Sequence, residues 1–264
     1  MDNMFLYRLG QKRGGGSGGG GGDATDGFLA FITGETTVLS SKAVTAVADH
    51  MFRYTRVTEV DFPNATRIGQ YAFEHCTGLT TVDFPAVTTI GDRAFGYCDD
   101  LITMNFPMAT SVSNYMGIDC NNLATVNIPL ATSVGNNAFQ RSPKLTAVNF
   151  PLATTIGYQA FRECSALETA DFPSATSLDS NVFNSCTKLT AVILRGNVVC
   201  SLRGTDSFTS TAVESGTGYI YVPSALIDEY KSATNWSTYA AQFRALEDYT
   251  VDGTTTGALD QAKI

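Results

Sequence analysis

From Val57 to Lys188 the sequence consists of six segments of 22 residues laid end to end, beginning at Val57, Leu79, Leu101, Leu123, Leu145 and Leu167, with no insertion or deletion. Down the register it reads L-x-x-V-x-F-P-x-A-T-x-I-G-x-x-A-F-x-x-C-x-x, so Leu79, Val82, Phe84, Pro85, Ile90, Gly91, Ala94, Phe95 and Cys98 recur one period on with the same chemistry. A fixed period in this range means that each unit traces one path and stacks on its neighbours. One unit alone buries too little apolar surface to offset the ordering of its backbone, so the array holds together only through coil-on-coil contact. Function on such a scaffold belongs to a ladder surface and not to a cleft.

Within a unit such as L-T-T-V-D-F, positions 1, 4 and 6 face inward and positions 3 and 5 face outward, the pattern of a half-buried strand. Successive strands are expected to pair in parallel. Proline at 63, 85, 107, 129, 151 and 173 lacks an N–H and ends that pairing. Gly69, Gly91, Gly135 and Gly157 are expected to turn the next corner through positive φ. The A-F-x-x-C stretch fits one short helical or 3-10 turn with Phe and Cys on its inner side. Cys76, Cys98, Cys120, Cys164 and Cys186 form a single column interrupted by Ser142, which reads as a ladder of reduced, packed thiols. A threonine column, Thr66, Thr88, Thr110, Thr132, Thr154 and Thr176, is expected to bond its local backbone. The irregular coil 101–122 has Ser113 for glycine and Gly117 for phenylalanine, with Met116 beside it as filler; a local bend or soft spot is expected there.

The units divide the chain. Residues 1–22 are a basic-polar lead ending in GGGSGGGGG, a flexible linker with a reach of roughly 15–18 Å. Residues 23–56 are an N-terminal cap or degenerate repeat, in which Val47, Met51 and Phe52 match Ile68, Ala72 and Phe73. The solenoid proper spans 57–194. A C-terminal cap spans 195–250, with a strand at Tyr219–Val222, Pro223 at the first position of a helix, and a second helix bringing Trp236, Tyr239, Phe243 and Leu246 to one face. Residues 251–264 are a flexible tail.

On these residues the array resembles the BspA-like leucine-rich-repeat family, over about 36–194, and the ending SGTGYIYVPSALIDEYKSATNWSTYAAQFRALEDY extends the likeness to about residue 250. The resemblance implies an α/β fold: a right-handed leucine-rich-repeat solenoid with 22-residue coils, a parallel sheet on one face, short helical or 3-10 turns on the other, and a small helical C-terminal cap. It further implies a surface-exposed binding or adhesive protein of bacteria; similar arrays occur in protist surface proteins and in prophage-encoded proteins. The sequence shows no recognisable signal peptide or C-terminal anchor, so an extracellular or cell-surface site and a virion-associated one, as a phage tail component meeting the host, both stand as expectations.

A formal charge of −8 disfavours nucleic acid and anionic lipid as partners. No stretch of apolar residues is long enough to span a bilayer. With two histidines and no C-x-x-C pair, neither a metal nor another cofactor is expected, and no residues mark a nucleophile with its base. The expected function is therefore non-enzymatic recognition of a protein or glycan on a cell surface. Two sets of residues are candidates for it. The outward strand columns hold Thr81, Thr103, Thr125 and Thr169 at position 3, with Glu59 before them and Ala147 among them. Position 5 holds Asp61, Asp83, Asn105, Asn127, Asn149 and Asp171. The second set varies from coil to coil near the A-F-x-x-C turn: Tyr71, His75, Arg93, Tyr97, Tyr115, Arg141, Tyr158 and Arg162, with Tyr and Arg the types enriched at binding hot spots. Against both stands the plainer reading of solvated surface and side-chain ladders.

Overall fold

The structure, a computed structural model, describes residues 37–251 and 254–255. The expectations for the lead 1–22, for 23–36 and for nearly all of the tail 251–264 lie outside the described residues.

Each coil has three sides. On the front runs a strand of three or four residues, as in Thr81–Asp83, Thr103–Asn105 and Thr125–Asn127, paired in parallel with its neighbours and offset by one period. The inward residues of these strands are buried, and Leu79, Val82 and Phe84 show no exposure at all. Phe-Pro-x-Ala then forms a β-turn: the N–H of Ala109 donates to the Phe106 carbonyl, and that of Ala153 to Phe150. Proline at the second position pre-sets φ for that turn, so it shapes the corner as well as ending the ladder. A two-residue strand follows on the side, as in Arg67–Ile68 or Thr155–Ile156, again paired in parallel with its neighbours. The back is a run of tight turns returning to the next leucine.

The glycine corners differ from expectation. Among the described residues the only glycine with positive φ is Gly216. Gly135 is needed for close approach instead, since a Cβ there would fall 2.7 Å from Asn114 N and Ser113 C of the preceding coil. Ser113 is accommodated at the same position by donating to the Gly91 carbonyl at 2.9 Å.

Positive φ appears on the back, at two positions per coil four residues apart. One column runs His50, Tyr71, Arg93, Tyr115, Asn137, Gln159, Asn181; the other runs Tyr54, His75, Tyr97, Asp119, Arg141, Glu163, Ser185. The expected helical turn therefore does not propagate. It keeps 3-10-type bonds, such as Cys76 N–H to Phe73 O at 3.0 Å, but every second N–H turns outward to the next coil, as Phe73 to Ala94 O and His75 to Gly96 O. The left-handed residues make that alternation possible.

Inside, two phenylalanine columns stack along the array. Ring contacts run from Phe52 to Phe106, stop, and resume from Phe139 to Phe208 and Trp236. The gap falls at Gly117 and Ile128. There the front ladder is also interrupted, between Thr125–Asn127 and Ala147–Asn149, and the side ladder is reduced to a single bridge from Val112 to Val134. Met116 is fully buried in the column that holds Ala94 and Ala138, and Met104 also reaches the site, its Cε lying 2.9 Å from where a Cβ on Gly117 would be.

The cysteines are buried and free, and they do more than pack. Each thiol of the repeat column donates to the carbonyl of the phenylalanine in the preceding coil: Cys98 to Phe73 at 3.2 Å, Cys164 to Phe139 at 3.1 Å, Cys186 to Phe161 at 3.0 Å. Ser142 keeps the bond with its hydroxyl, to Gly117 O at 3.1 Å. Burial pushes these thiols up, Cys76 to about 11 and Cys120 and Cys164 to about 12. They stay protonated as donors. The threonine column likewise bonds between coils and not locally: Thr88 and Thr176 hydroxyls donate to Thr66 O at 3.3 Å and Thr154 O at 3.1 Å.

Winding continues past residue 194. Ser201–Leu202 pairs with Ser177–Leu178, Phe208 stacks on Phe183, and Tyr219–Val222 pairs with Ala191–Leu194. Capping then falls to aromatic side chains that reach the last coil's backbone: Trp236 Nε1 donates to Cys200 O at 2.6 Å, and Tyr230 Oη accepts from Cys200 N–H at 2.9 Å. Pro223 precedes a 3-10 turn, Ser224–Leu226, and helix α1 covers Ile227–Ser232. The expected second helix is shorter: a kinked 3-10 segment ends at Gln242, and Phe243–Ala245 becomes a strand paired with Ile220–Val222. Ladder hydrogen bonds to a waiting sheet edge win over local helical spacing. Leu246 consequently leaves the face it was expected to share with Trp236 and packs on the front of the sheet.

Candidate binding surface

The front columns are only partly open. Thr81, Asp83, Thr125 and Asn127 are exposed; Thr103, Asn105, Asn149 and Thr169 are half-buried. Position 5 is a side-chain ladder over three coils: Asn105 Nδ2 donates to Asp83 Oδ1 at 2.8 Å, and Asn127 Nδ2 to Asn105 Oδ1 at 2.6 Å. The ladder ends where the sheet does. Asn149 Oδ1 is buried without a hydrogen-bond partner, and the next residue in the column, Asp171, is hydrogen-bonded to Arg195 and as a carboxylate has no proton to donate.

Asp171 departs from the expected solvated face. It is 4% exposed and held by both Arg195 nitrogens at 3.2 Å. Burial raises its carboxyl above the usual range, and the guanidinium works against that rise. The cover is the segment after Phe243–Ala245. There Tyr249 lies edge-on to Tyr221 with centroids 4.6 Å apart and forms a small cluster with Ala191 and Ile193, against which Leu246 packs. Sequence reasoning missed this strap although a signal was present. At Ala191, Ile193 and Tyr221 the outward positions cease to be polar, as they must where another segment covers them.

At the N-terminal end the face is open. The front ladder is interrupted between Glu59–Asp61 and Thr81–Asp83, and a shallow groove runs there. Glu59, Asp61, Thr80, Thr81 and Asp83 line it, with Pro63 and Pro85 at one end. Three carboxylates and two hydroxyls make it acidic and rich in acceptors.

Six of the eight residues of the second candidate set, all but Tyr158 and Arg162, fall in the left-handed columns on the back. His50 stacks on Tyr71 at 4.8 Å; Tyr54, His75 and Tyr97 form a continuous stack at 4.5 Å per step. The Arg53 guanidinium lies over Tyr54 and Tyr71, and that of Arg93 over Tyr115. Between the columns Glu74 is 1% exposed and ion-paired with Arg53 and, at 3.7 Å, with Arg93. Arg53 and Glu74 share a column one period apart, which is the sequence sign of that pair. Further along the stack gives way to charge pairs, Arg141 with Asp119 and Arg162 with Glu163. Tyr158 stands exposed outside both columns.

A family profile described as BspA type leucine rich repeat region matches in six copies over residues 45–154 and 110–218. The chain belongs to this BspA-type family. The described part of this BspA-type array has no helix long and apolar enough to cross a membrane. Among curated proteins none matches the chain. Solved structures similar to it include a leucine rich cell surface protein from Faecalibacterium prausnitzii, 19% identical with a TM-score of 0.43, covering 71% of this chain and 69% of that one. A leucine-rich repeat protein from Bacteroides ovatus is 17% identical with a TM-score of 0.37, over 71% of this chain and 60% of that one. The pneumococcal vaccine antigen PcpA is 12% identical with a TM-score of 0.29, over 79% and 76%.

Proposed function

We propose that the chain is a non-enzymatic adhesion module of a cell surface whose open front, from Glu59 to Asn127, binds a protein partner. The observation that carries this reading is the acidic groove at the interrupted ladder, continuous with the rigid Asp83–Asn105–Asn127 side-chain ladder. Carboxylates and amides at one-coil spacing, fixed by the sheet beneath, present a regular row of acceptors to an extended segment carrying lysine or arginine. Charge of this sign also steers association with basic partners. The face narrows at Thr169 and Asp171, where the strap closes it, so those two residues stand outside the contact surface.

The test is binding of the full chain to an arrayed panel of purified cell-surface and matrix proteins. Thr81→Arg combined with Thr125→Arg is expected to abolish any specific signal at least tenfold, with the thermal midpoint preserved because both side chains are exposed. A signal that survives this double substitution overturns the assignment to the front face.

A further inference from the structure

We propose a second, independent binding surface on the back of the first coils, a ridge of hydrogen-bond donors built from His50, Tyr54, Tyr71, His75 and Tyr97 with Arg53 and Arg93, whose ligand is an acidic polysaccharide. An L-residue is disfavoured in the left-handed region, and Asn and Asp tolerate it best. Later coils, from Asp119 on, carry Asn137 and Asn181 but also Gln159, Arg141, Glu163 and Ser185 at these positions, and no ring. The first coils differ. They hold the same φ, 56° to 59°, yet place rings and a guanidinium there. The coil needs the conformation and does not need those side chains, and bulky residues kept in strained backbone mark positions selected for what they display.

What they display is donors. The rings cover one another's faces along the array beside two arginines; His50 and Tyr54 are exposed, Tyr71, His75 and Tyr97 half-buried, and the Tyr54 hydroxyl accepts from Arg53 Nη2 at 3.4 Å. Charge is divided between the two sides of these coils. Glu59, Asp61 and Asp83 line the front, whereas the carboxylate inside the ridge, Glu74, is buried between Arg53 and Arg93. At the ridge margin Asp49 and Asp92 are each committed to the backbone N–H of the following coil, at Gln70 and Asn114. Within the ridge two guanidinium groups face one buried carboxylate, so an anionic ligand meets a local excess of one positive charge there on an otherwise acidic protein. Donor groups repeat along the ridge at the coil spacing of ~4.8 Å, comparable to the length of one pyranose unit, so a polysaccharide with carboxylate or sulfate groups can be held along several coils. The binding is a reversible contact and involves no covalent step.

The test uses the full chain in calorimetric titrations against polygalacturonate and heparin, with neutral dextran and poly-L-glutamate as comparisons. The variant carries His50→Asn, Tyr54→Asn, His75→Asn and Tyr97→Asn, asparagine being a residue that tolerates the left-handed conformation, as at Asn137 and Asn181, so folding is retained. Expected is binding of at least one acidic polysaccharide, weakened tenfold or more in the variant while the thermal midpoint moves by only a few degrees, and unchanged by Asn105→Ala on the front. Absence of binding to both acidic polysaccharides, equal binding by the variant, loss on Asn105→Ala, or equally tight binding of poly-L-glutamate or dextran would each overturn the proposal. Because the front-face and ridge variants are separate, failure here leaves the front-face reading standing, and the reverse holds.

Discussion

Gly117, where the phenylalanine column skips a coil, allows core filling to be separated from repeat consensus. A Cβ at this position would lie 2.9 Å from Met104 Cε and 3.2 Å from Phe139 Cδ1. Met104 is fully buried where the flanking coils carry Val82 and Val126, so the methionine has grown into the space that a ring fills at 95 and 139. Gly117→Phe alone puts a ring onto an occupied site. Overpacking of about 1–3 kcal/mol then cancels most of the roughly 1.5–3 kcal/mol available from burying a phenylalanine, and the net effect is close to zero. Met104→Val alone opens a void beside the glycine and is expected to destabilise by about 1–2 kcal/mol. Together the two changes fit: the ring takes the vacated space and rejoins Phe95 to Phe139 through two aromatic contacts worth about 0.5–1.5 kcal/mol each. The double variant is expected to exceed the wild type by about 1–3 kcal/mol, with a coupling energy of at least about 2 kcal/mol. Urea unfolding of the four proteins followed by far-UV circular dichroism measures this, with hydrogen exchange over 101–144 separating local from global loss in a long array. Effects that add to within about 0.5 kcal/mol, or a stabilising Gly117→Phe on its own, would refute the account of Met104 as filler.

Other consequences are equally direct. Gly135→Ala, whose Cβ meets only backbone and an asparagine side chain of the preceding coil, is expected to lose about 1–3 kcal/mol, whereas Gly78→Ala, which meets a threonine methyl at 3.2 Å, should be nearly neutral in the same unfolding assay. Cys98→Ser keeps a donor for Phe73 O, as Ser142 does for Gly117 O, and is expected to stay closer to wild-type stability than Cys98→Val by about 1 kcal/mol. Thiols raised from an ordinary value near 9 to about 11 or 12 contribute stability that is fully present below pH 9 and lost as pH rises through 11–12, because the unfolded chain ionises first. An unfolding midpoint that is flat between pH 8.5 and 10.5 would contradict it. Tyr249→Ala should release the strap and speed hydrogen exchange at 191–194 and 219–222 while leaving 81–127 unchanged.

The inward face of each coil was legible because burial repeats: Leu79, Val82, Phe84, Phe95 and Cys98 must meet their counterparts, and only stacking in register achieves that. The cysteine column shows where chemistry hid behind size. Thiols interrupted by a serine share a donor as well as a volume, and the bond to a phenylalanine carbonyl follows from the donor. Back-face geometry was not legible, since a glycine was the expected carrier of positive φ while Tyr54, His75 and Arg93 carry it. Nothing in the residue types announces this; the next coil's carbonyls, reached by alternate N–H groups, impose it. The front face was read correctly in direction but not in extent, because the strap that buries Asp171 comes from about 75 residues further on and has no counterpart in the repeat. Periodicity predicts what every coil shares and is silent on a segment that occurs once.

The two proposed surfaces can differ so sharply in charge because the coil separates them mechanically. Most inter-coil bonding does not use position 5 or the left-handed side chains: the front strands, the side strands, the threonine hydroxyls, the thiols and the back-turn N–H groups each bond to the neighbouring coil. Position 5 on the front and the left-handed positions on the back are thereby released from holding the stack, and they can vary one coil at a time. In a nearest-neighbour array a change at one such position is felt by adjacent coils and little beyond. Glu74 is the exception that tests the rule, since it is buried between arginines of the coils on either side. Removing it would leave Arg53 and Arg93 facing each other without a carboxylate, so Glu74→Gln should weaken the first coils and disturb the ridge together, while the front groove, built on other side chains, keeps its binding.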